Sequence, residues 1–398
     1  MLAWILLAAG SAIVFYILIA YPALLAFSCR REAPPVRKDP AFRPKVSVLL
    51  AVHNGQPFIR QKLECLLALN YPRELLDILV VSDGSSDATE PIVEAFAQRG
   101  VRLLRVPRGG KAAALNAGLK HVSGEILFFT DVRQDLPADS LVELVVNFAD
   151  PSVGAVTGEP RFLNPDRAGE QADMELYWRY ELWVRRRHSR IASACNTTGW
   201  IYALRRSLAT PIPVDTLTDD GVIPLKTICR GYRVVVEPKA LAFDSPRIKG
   251  GEFRRKLRTL GGLWQVHVRM PELFTSANAM RFHFLSHKSA RLLLPWAILT
   301  TWLPAFLLPA SPFQRSLAFD PLFLLALAAL DPLVPKGVLF KRISSPVRSF
   351  LIMNLAALLA PVVFIVPAGI LWRPTVVADA PALSGAVKNE AGVLKMQP

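Results

Sequence analysis

Four short polar segments each close an apolar run: His53-Asn54-Gly55, Asp83-Gly84-Ser85, Gly109-Gly110-Lys111 and Asp131-Val132-Arg133. A carboxylate accepts hydrogen bonds and holds cations, so each Asp in this set has two readings. Asp83, followed by Gly-Ser-Ser-Asp87, either faces a ligand or caps a helix beginning near Asp87. Asp131 ends the run Ile126-Leu-Phe-Phe-Thr130, where it could hold a hydroxyl or a metal, or cap the next helix. Gly109-Gly110-Lys111 puts a cation on a flexible loop, with spacing unlike that of a P-loop. The scattered histidines and the four cysteines, without a CxxC pair, give neither a zinc site nor a disulfide scaffold.

The elements between these segments alternate. Val46–Val52, Leu76–Ser82, Val101–Val106 and Glu125–Thr130 have the β-branched, apolar character of strands. Gln56–Leu69, Asp87–Arg99, Lys111–His121 and Ala138–Phe148 have helical periodicity. Such alternation predicts an α/β fold with a mainly parallel sheet and helices on both faces. Ligands bind beyond the carboxyl ends of such strands, where the four polar segments fall.

The 398 residues are 52% hydrophobic with 20% charged side chains and a net charge of +15. Mean hydropathy is +0.31. That is too apolar for a purely soluble enzyme and too charged for a purely embedded carrier. Leu2 to Phe27 is almost wholly apolar and reads as an uncleaved anchor rather than a signal peptide. Leu292–Gln314 and Ser349–Trp372 are two further spans, and Leu317–Val334, interrupted by Asp320 and Asp331, is a shorter third. Clusters at Arg30–Lys38, Arg281–Arg291 and Lys336–Arg348 share one side only if that short run crosses, and the positive-inside rule makes that side cytoplasmic. The basic residues follow the membrane boundaries and not an aromatic-studded groove, which argues against nucleic acid. In Glu252–Met270, Phe253, Leu257, Leu260, Leu263 and Trp264 interleave with Arg254, Arg255, Lys256 and Arg258, as in a helix lying among lipid headgroups. Tyr177, Trp178, Tyr180 and Trp183 ahead of Arg185–His188 suit either an acceptor groove or a packed amphipathic helix.

In series, the segments Lys45–Asn54, Ile78–Asp87, Gly110–Leu119 and Gly124–Asp131 resemble the nucleotide-sugar half of family 2 glycosyltransferases. Gly199–Arg206, Thr216-Leu-Thr-Asp-Asp220, Arg230–Pro238 and the Arg…Gly…Gln pattern of Arg254–Gln265 extend the resemblance to about residues 45–270. The resemblance implies a GT-A-like domain in which Asp83 receives the base's imide N–H and Lys111 offsets pyrophosphate charge. Asp131 matches the first Asp of the family's DxD and would meet the ribose and a metal-bound diphosphate. Asp220 would be the general base of an inverting transfer, whereas on its own the Asp219-Asp220 pair could simply begin the helix Gly221–Arg230. Arg258 is the surviving arginine of the QxxRW element, whose Gln and Trp are absent. Arg133 stands where the family has its second DxD carboxylate, which leaves open Mg²⁺ or Mn²⁺ on Asp131 or replacement of the ion by arginine. Asp219, Trp264 and Gln265 are expected at the acceptor side or interface.

The expected organisation is an anchor at 1–28, a linker at 29–44, a cytoplasmic GT-A-like domain at 45–245, interfacial helices at 246–290, three spans within 291–372 and a tail at 373–398. The expected activity moves a sugar, most simply from a UDP-linked donor, to a lipid-linked or membrane-proximal glycan at a bacterial inner membrane. A processive polysaccharide synthase is one alternative. A catalytically silent subunit of a glycan synthesis or export complex is the other.

Overall fold

The computed structural model describes residues 1–28, 32–162, 170–244, 252–305, 322–335, 338 and 340–366, with backbone alone at 162, 170–177 and 252. Arg30, Arg31, Lys336, the end of the second expected span and the tail beyond Trp372 lie outside the described residues.

Seven strands form one sheet: β1 (Val46–Val52), β2 (Leu76–Asp83), β3 (Val101–Val106), β4 (Ile126–Phe129), β5 (Val153–Phe162), β6 (Tyr202–Arg205) and β7 (Arg233–Asp244). Their order is β3-β2-β1-β4-β6-β5-β7. The first four are parallel, with Val46 facing Leu76 on one side and Ile126 on the other. β6 runs antiparallel to both β4 and β5, and β5 is parallel to β7. The expected mainly parallel α/β sheet is therefore present. Three strands that the sequence reading leaves unassigned complete it.

Period-two alternation divides β1 between two cores. Val46, Val48, Leu50 and Val52 pack against Ile59, Leu63 and Leu66 of α2 (Gln56–Leu67). Leu49 packs on the other face with Ala112 and Leu115 of α4 (Lys111–Leu119). α3 is shorter than expected, Thr89–Glu94. Asp87 lies outside it because its carboxylate accepts the N–H groups of Thr89 and Gln56, both at 3.0 Å, and so serves the starts of α3 and α2 together. The remaining helices are α5 (Ser140–Val145), α6 (Glu170–Ile191), α7 (Asp219–Cys229), α8 (Glu252–Arg269) and α9 (Ala290–Ala305).

Two helices among the described residues are long and apolar enough to cross a membrane, α1 (Leu2–Phe27) and the last, Lys341–Phe364. Between α9 and that last helix lies α10 (Leu322–Leu333), a shorter apolar helix, and the last is then α11. α1 packs along α9, where Gly10 permits close approach: a Cβ there would stand 2.6 Å from Thr301 Oγ1 and 2.8 Å from its backbone nitrogen. α11 begins eight residues before the expected Ser349. The reason is Asp331, which is fully buried and receives Ser344 Oγ at 2.6 Å and Lys341 Nζ at 2.9 Å, with Arg348 at 3.5 Å. Charges expected in a loop are thus neutralised inside a helix pair.

Candidate active site

The carboxyl ends of β1, β2 and β4 open into a cavity of about 550 Å³ that reaches from Asp83 to Met353 on α11. On its strand-end side, Asn54 takes a left-handed φ of +49°, a conformation Asn tolerates, and turns the chain from β1 into α2. His53 Nδ1 lies 2.8 Å from the Asp83 carbonyl oxygen and joins the ends of β1 and β2.

Asp83 does not cap α3. It is buried at the tip of β2, where its carboxylate accepts the N–H groups of Gly109 (2.7 Å) and Gly110 (3.0 and 3.1 Å) and the Arg108 guanidinium. These bonds use nearly all its acceptor capacity. A base that reached Asp83 would have to displace Arg108 or part of this loop.

Lys111 opens α4 and points across to the acidic residues. Its Nζ lies 2.9 Å from Asp131 Oδ1 and 3.1 Å from Asp219 Oδ1. Burial pulls the Lys111 pKa down, but the carboxylates of Asp131, Asp219 and Asp220 outweigh it and hold it above the ordinary lysine range. Asp219 and Asp220 do begin a helix, in the first turn of α7 where the macrodipole favours negative charge. They are also tied to the sheet: Tyr202 Oη donates to Asp219 at 3.4 Å, and the Gly199 N–H donates to Asp220 Oδ2 at 3.2 Å. The pKa of Asp220 is raised, first by burial and then by the adjacent Asp219, against the pull of Lys111 and Arg185. A carboxylate so placed binds a proton more readily than a free aspartate.

Arg133 departs from the expected donor role. Its Nε and Nη2 engage the buried carboxylate of Asp244 at the end of β7, at 3.1 and 2.5 Å, and Gln134 donates to the same group at 3.0 Å. Arg258 lines the cavity together with Arg255 and Lys256 of α8. Gln265 is not at an acceptor surface. It is buried, its Oε1 accepts the Leu217 N–H (3.1 Å) and its Nε2 donates to the Asp215 carbonyl (3.0 Å), so it fastens the chain leading into Asp219. Trp264 packs with Leu260 among Leu292, Ala356, Ala357 and Ala360. The aromatic run of α6 divides by face: Trp178 and Arg185 line the cavity, while Trp183 packs with Tyr21, Leu25 and Val184.

Two polar supports escaped the sequence reading. Lys62 is fully buried and donates to Thr130 Oγ1 (2.8 Å) and the Gln134 carbonyl (2.7 Å), bracketing Asp131 and Arg133, and burial lowers its pKa to about 8. Its position among Ile59, Leu63 and Leu66, on the apolar stripe of α2, was the available signal. Asp244 gave none, because its role exists only through Arg133.

A divalent cation is tested by the space over Gly199. A Cβ there would lie 3.3 Å from Asp131 Oδ2, 3.6 Å from Lys111 Nζ and 3.8 Å from Asp220 Oδ2. Glycine leaves that volume open beside a carboxylate oxygen not used by Lys111. Mg²⁺ and Mn²⁺ take few protein ligands when phosphates and water supply the rest, so the residues present fit such an ion. Among the described residues no group of three or more His, Cys, Asp or Glu forms an all-protein metal cage.

Comparison with known proteins places this geometry. The chain is 28% identical over 245 residues to a poly-β-1,6-N-acetyl-D-glucosamine synthase of Staphylococcus aureus, covering 60% of this chain and 58% of that one. The corresponding synthase of Staphylococcus epidermidis is 30% identical over 232 residues, 56% of this chain and 53% of the relative. The chain thus spans little more than half the length of these relatives. A mannosyltransferase of Pyrobaculum calidifontis, solved with GDP-mannose and Mn²⁺, superposes with a TM-score of 0.70 at 26% identity, over 91% of this chain and 98% of that one. Residues 47–209 match the profile of Glycosyl transferase family 2. That stretch runs from the second residue of β1 past the end of β6 and so takes in the strand and helix ends that carry Asp83, Lys111 and Asp131 into the cavity; over this stretch the chain is similar to glycosyl transferase family 2.

Proposed function

We propose that the protein is a membrane-bound inverting glycosyltransferase that moves a sugar from a nucleoside diphosphate donor to an acceptor entering from the membrane side. One observation carries the reading: Asp131, Lys111 and Asp220 converge within 4 Å of a single open point, in a cavity that also reaches the apolar helix α11. Asp220 takes the proton of the acceptor hydroxyl as its oxygen attacks the anomeric carbon, and its raised proton affinity suits that step. Lys111 offsets charge on the departing diphosphate. Asp131 would hold Mg²⁺ or Mn²⁺ beside it, and the ion when bound supplies further neutralisation of that leaving group. Asp83 and its loop form the nucleotide end, with Arg258 on the opposite helix. α1, α9, α10 and α11 are assigned to the membrane and the sheet domain to the cytoplasm.

The resemblance to poly-N-acetylglucosamine synthases favours a second reading, a processive synthase. The missing Gln and Trp of the QxxRW element weigh against it. The intact Asp131 and Asp220 weigh against a silent subunit. The test is product mass spectrometry from membranes supplied with UDP- and GDP-linked sugars, comparing wild type with Asp220→Asn. Transfer in the wild type and a loss of ~10²- to 10⁴-fold in the variant are expected, with donor affinity kept within a few-fold. Near-normal turnover in Asp220→Asn removes it from the mechanism, and a wild type inert with every donor supports the silent subunit.

A further inference from the structure

A buried ammonium with no carboxylate in contact is costly, and α2 holds one. Lys62 lies among the apolar residues of that helix, and neither of its hydrogen-bond partners among the described residues is charged. An apolar side chain of similar length would suit the stripe at lower cost, so the cation is explained by what it bonds. It does not line the cavity, and neither does Thr130, so neither touches a donor or an acceptor.

The bonds run on from Lys62 to both halves of the proposed chemistry. An ammonium only donates, so the Thr130 hydroxyl, 2.8 Å away, accepts and must send its own proton elsewhere. It sends it to the Trp200 carbonyl at 2.8 Å, in a bond that the buried cation strengthens. Thr130 directly precedes Asp131. Trp200 directly follows Gly199, whose N–H donates to Asp220 Oδ2 at 3.2 Å and whose missing side chain leaves the space beside Asp131. The far end of the same turn is secured without Lys62. Asp135 exchanges backbone bonds of 3.0 and 2.8 Å with Phe243 and accepts Gln61 Nε2 at 2.8 Å, and the Leu136 N–H donates to Cys65 Sγ at 3.2 Å. The contribution particular to Lys62 is therefore the tie from Thr130 to Trp200.

We propose that Lys62 is a positioning residue that sets the separation of Asp131 and Asp220 through Thr130 and the Gly199–Trp200 peptide. The proposal rests on the glycosyltransferase reading and adds to it a residue outside the cavity. Without the ammonium the Thr130 hydroxyl is free to turn away from Trp200, and the Gly199 turn loses its tie to β4. The leaving-group side and the base then drift apart, and rate falls steeply when two acting groups lose their alignment. Donor affinity is affected less, because Asp83 and Lys111 are carried by β2 and α4.

The full-length protein in detergent micelles is compared as wild type, Lys62→Met, Thr130→Val, Thr130→Ser and the Lys62→Met/Thr130→Val double variant. Lys62→Met and Thr130→Val should each lower kcat by about tenfold or more, with the donor KM within about threefold of wild type. Thr130→Ser keeps the hydroxyl and should restore most of the rate. The double variant should be no slower than the slower single one, because both substitutions break the same chain. Hydrogen–deuterium exchange gives a readout apart from activity: in Lys62→Met and Thr130→Val the backbone of 196–202 should exchange about tenfold faster while 135–145 keeps its protection. Unchanged exchange at 196–202 overturns the proposal. So do multiplying rate losses in the double variant, or a Thr130→Ser as slow as Thr130→Val. Faster exchange throughout β1, β2 and β4 in both single variants assigns Lys62 to general stability and also overturns it. If Lys62→Met does not fold, the Thr130→Val and Thr130→Ser pair decides alone. A wild type that transfers from no donor counts against the glycosyltransferase reading, and the exchange pattern then decides the Lys62 tie by itself.

Discussion

At the residue scale, the chemistry depends on how charges crowd one point. Burial, and then Asp219, raise the proton affinity of Asp220, so the acidic limb of the kcat/KM–pH profile should lie above the ordinary aspartate range near 4. Asp219→Asn removes that like charge, lowers the Asp220 pKa and moves the limb to lower pH; a limb that stays or rises contradicts the assignment. Arg133 follows different logic. Its partner Asp244 is buried, so Arg133→Met should strand a carboxylate and lower stability by about 1–3 kcal/mol, since Arg133 itself is partly exposed. Donor affinity should change less than threefold in the same variant. A large affinity loss with unchanged thermal stability would return Arg133 to the diphosphate. Asp83, Lys111, Asp131 and Asp220 were legible as motif residues at strand and helix ends. The destination of Arg133 was not, because Asp244 is 111 residues away in sequence.

At the element scale, α8 is a support for α7. Gln265 holds Leu217 and Asp215, and Gly262 lets the helix approach so closely that a Cβ would stand 2.6 Å from Thr218 Oγ1. Thr218 directly precedes the acidic pair. Gln265→Ala leaves a buried N–H and a carbonyl unpaired, a loss of about 1–3 kcal/mol. It should lower kcat by tenfold or more, with donor affinity little changed, as measured by single-turnover transfer alongside nucleotide titration. An unaltered kcat would mean that the segment 215–218 positions itself. The amphipathic pattern of Glu252–Met270 located this helix correctly from sequence. It could not say that Gln265 faces the protein, since a polar residue on a helix has no evident partner until a loop is packed against it.

At the scale of the whole molecule, α1 packs along α9, and α9 packs on α11. Asp331 adds α10 to this set. Buried with Lys341, Ser344 and Arg348, it pins α10 to the start of α11 and shortens the intervening loop. A cysteine placed at Val338, which is exposed, should be labelled by impermeant reagent only after the cell is opened. Labelling from outside would mean that α10 does not cross. Gly10→Val should separate α1 from α9 and reduce thermal stability without touching nucleotide binding, because the added side chain meets the backbone of Thr301 and Ala297 as well as the Thr301 hydroxyl.

What the sequence determined by itself was local and periodic. Alternation gave the first four strands and their helices, the ordered motifs gave the family resemblance, and apolar length marked the candidate spans. Each is written within a few residues of chain. The tertiary structure decided what depends on distant partners: the antiparallel β6 between β4 and β5, the Arg133–Asp244 and Asp331 ion pairs, the Asp83 contacts with its loop, and the buried bonds of Lys62. A charged side chain carries the same letter whether it faces water, a substrate or an opposite charge. Only the fold, by burying it next to one of these, selects among them.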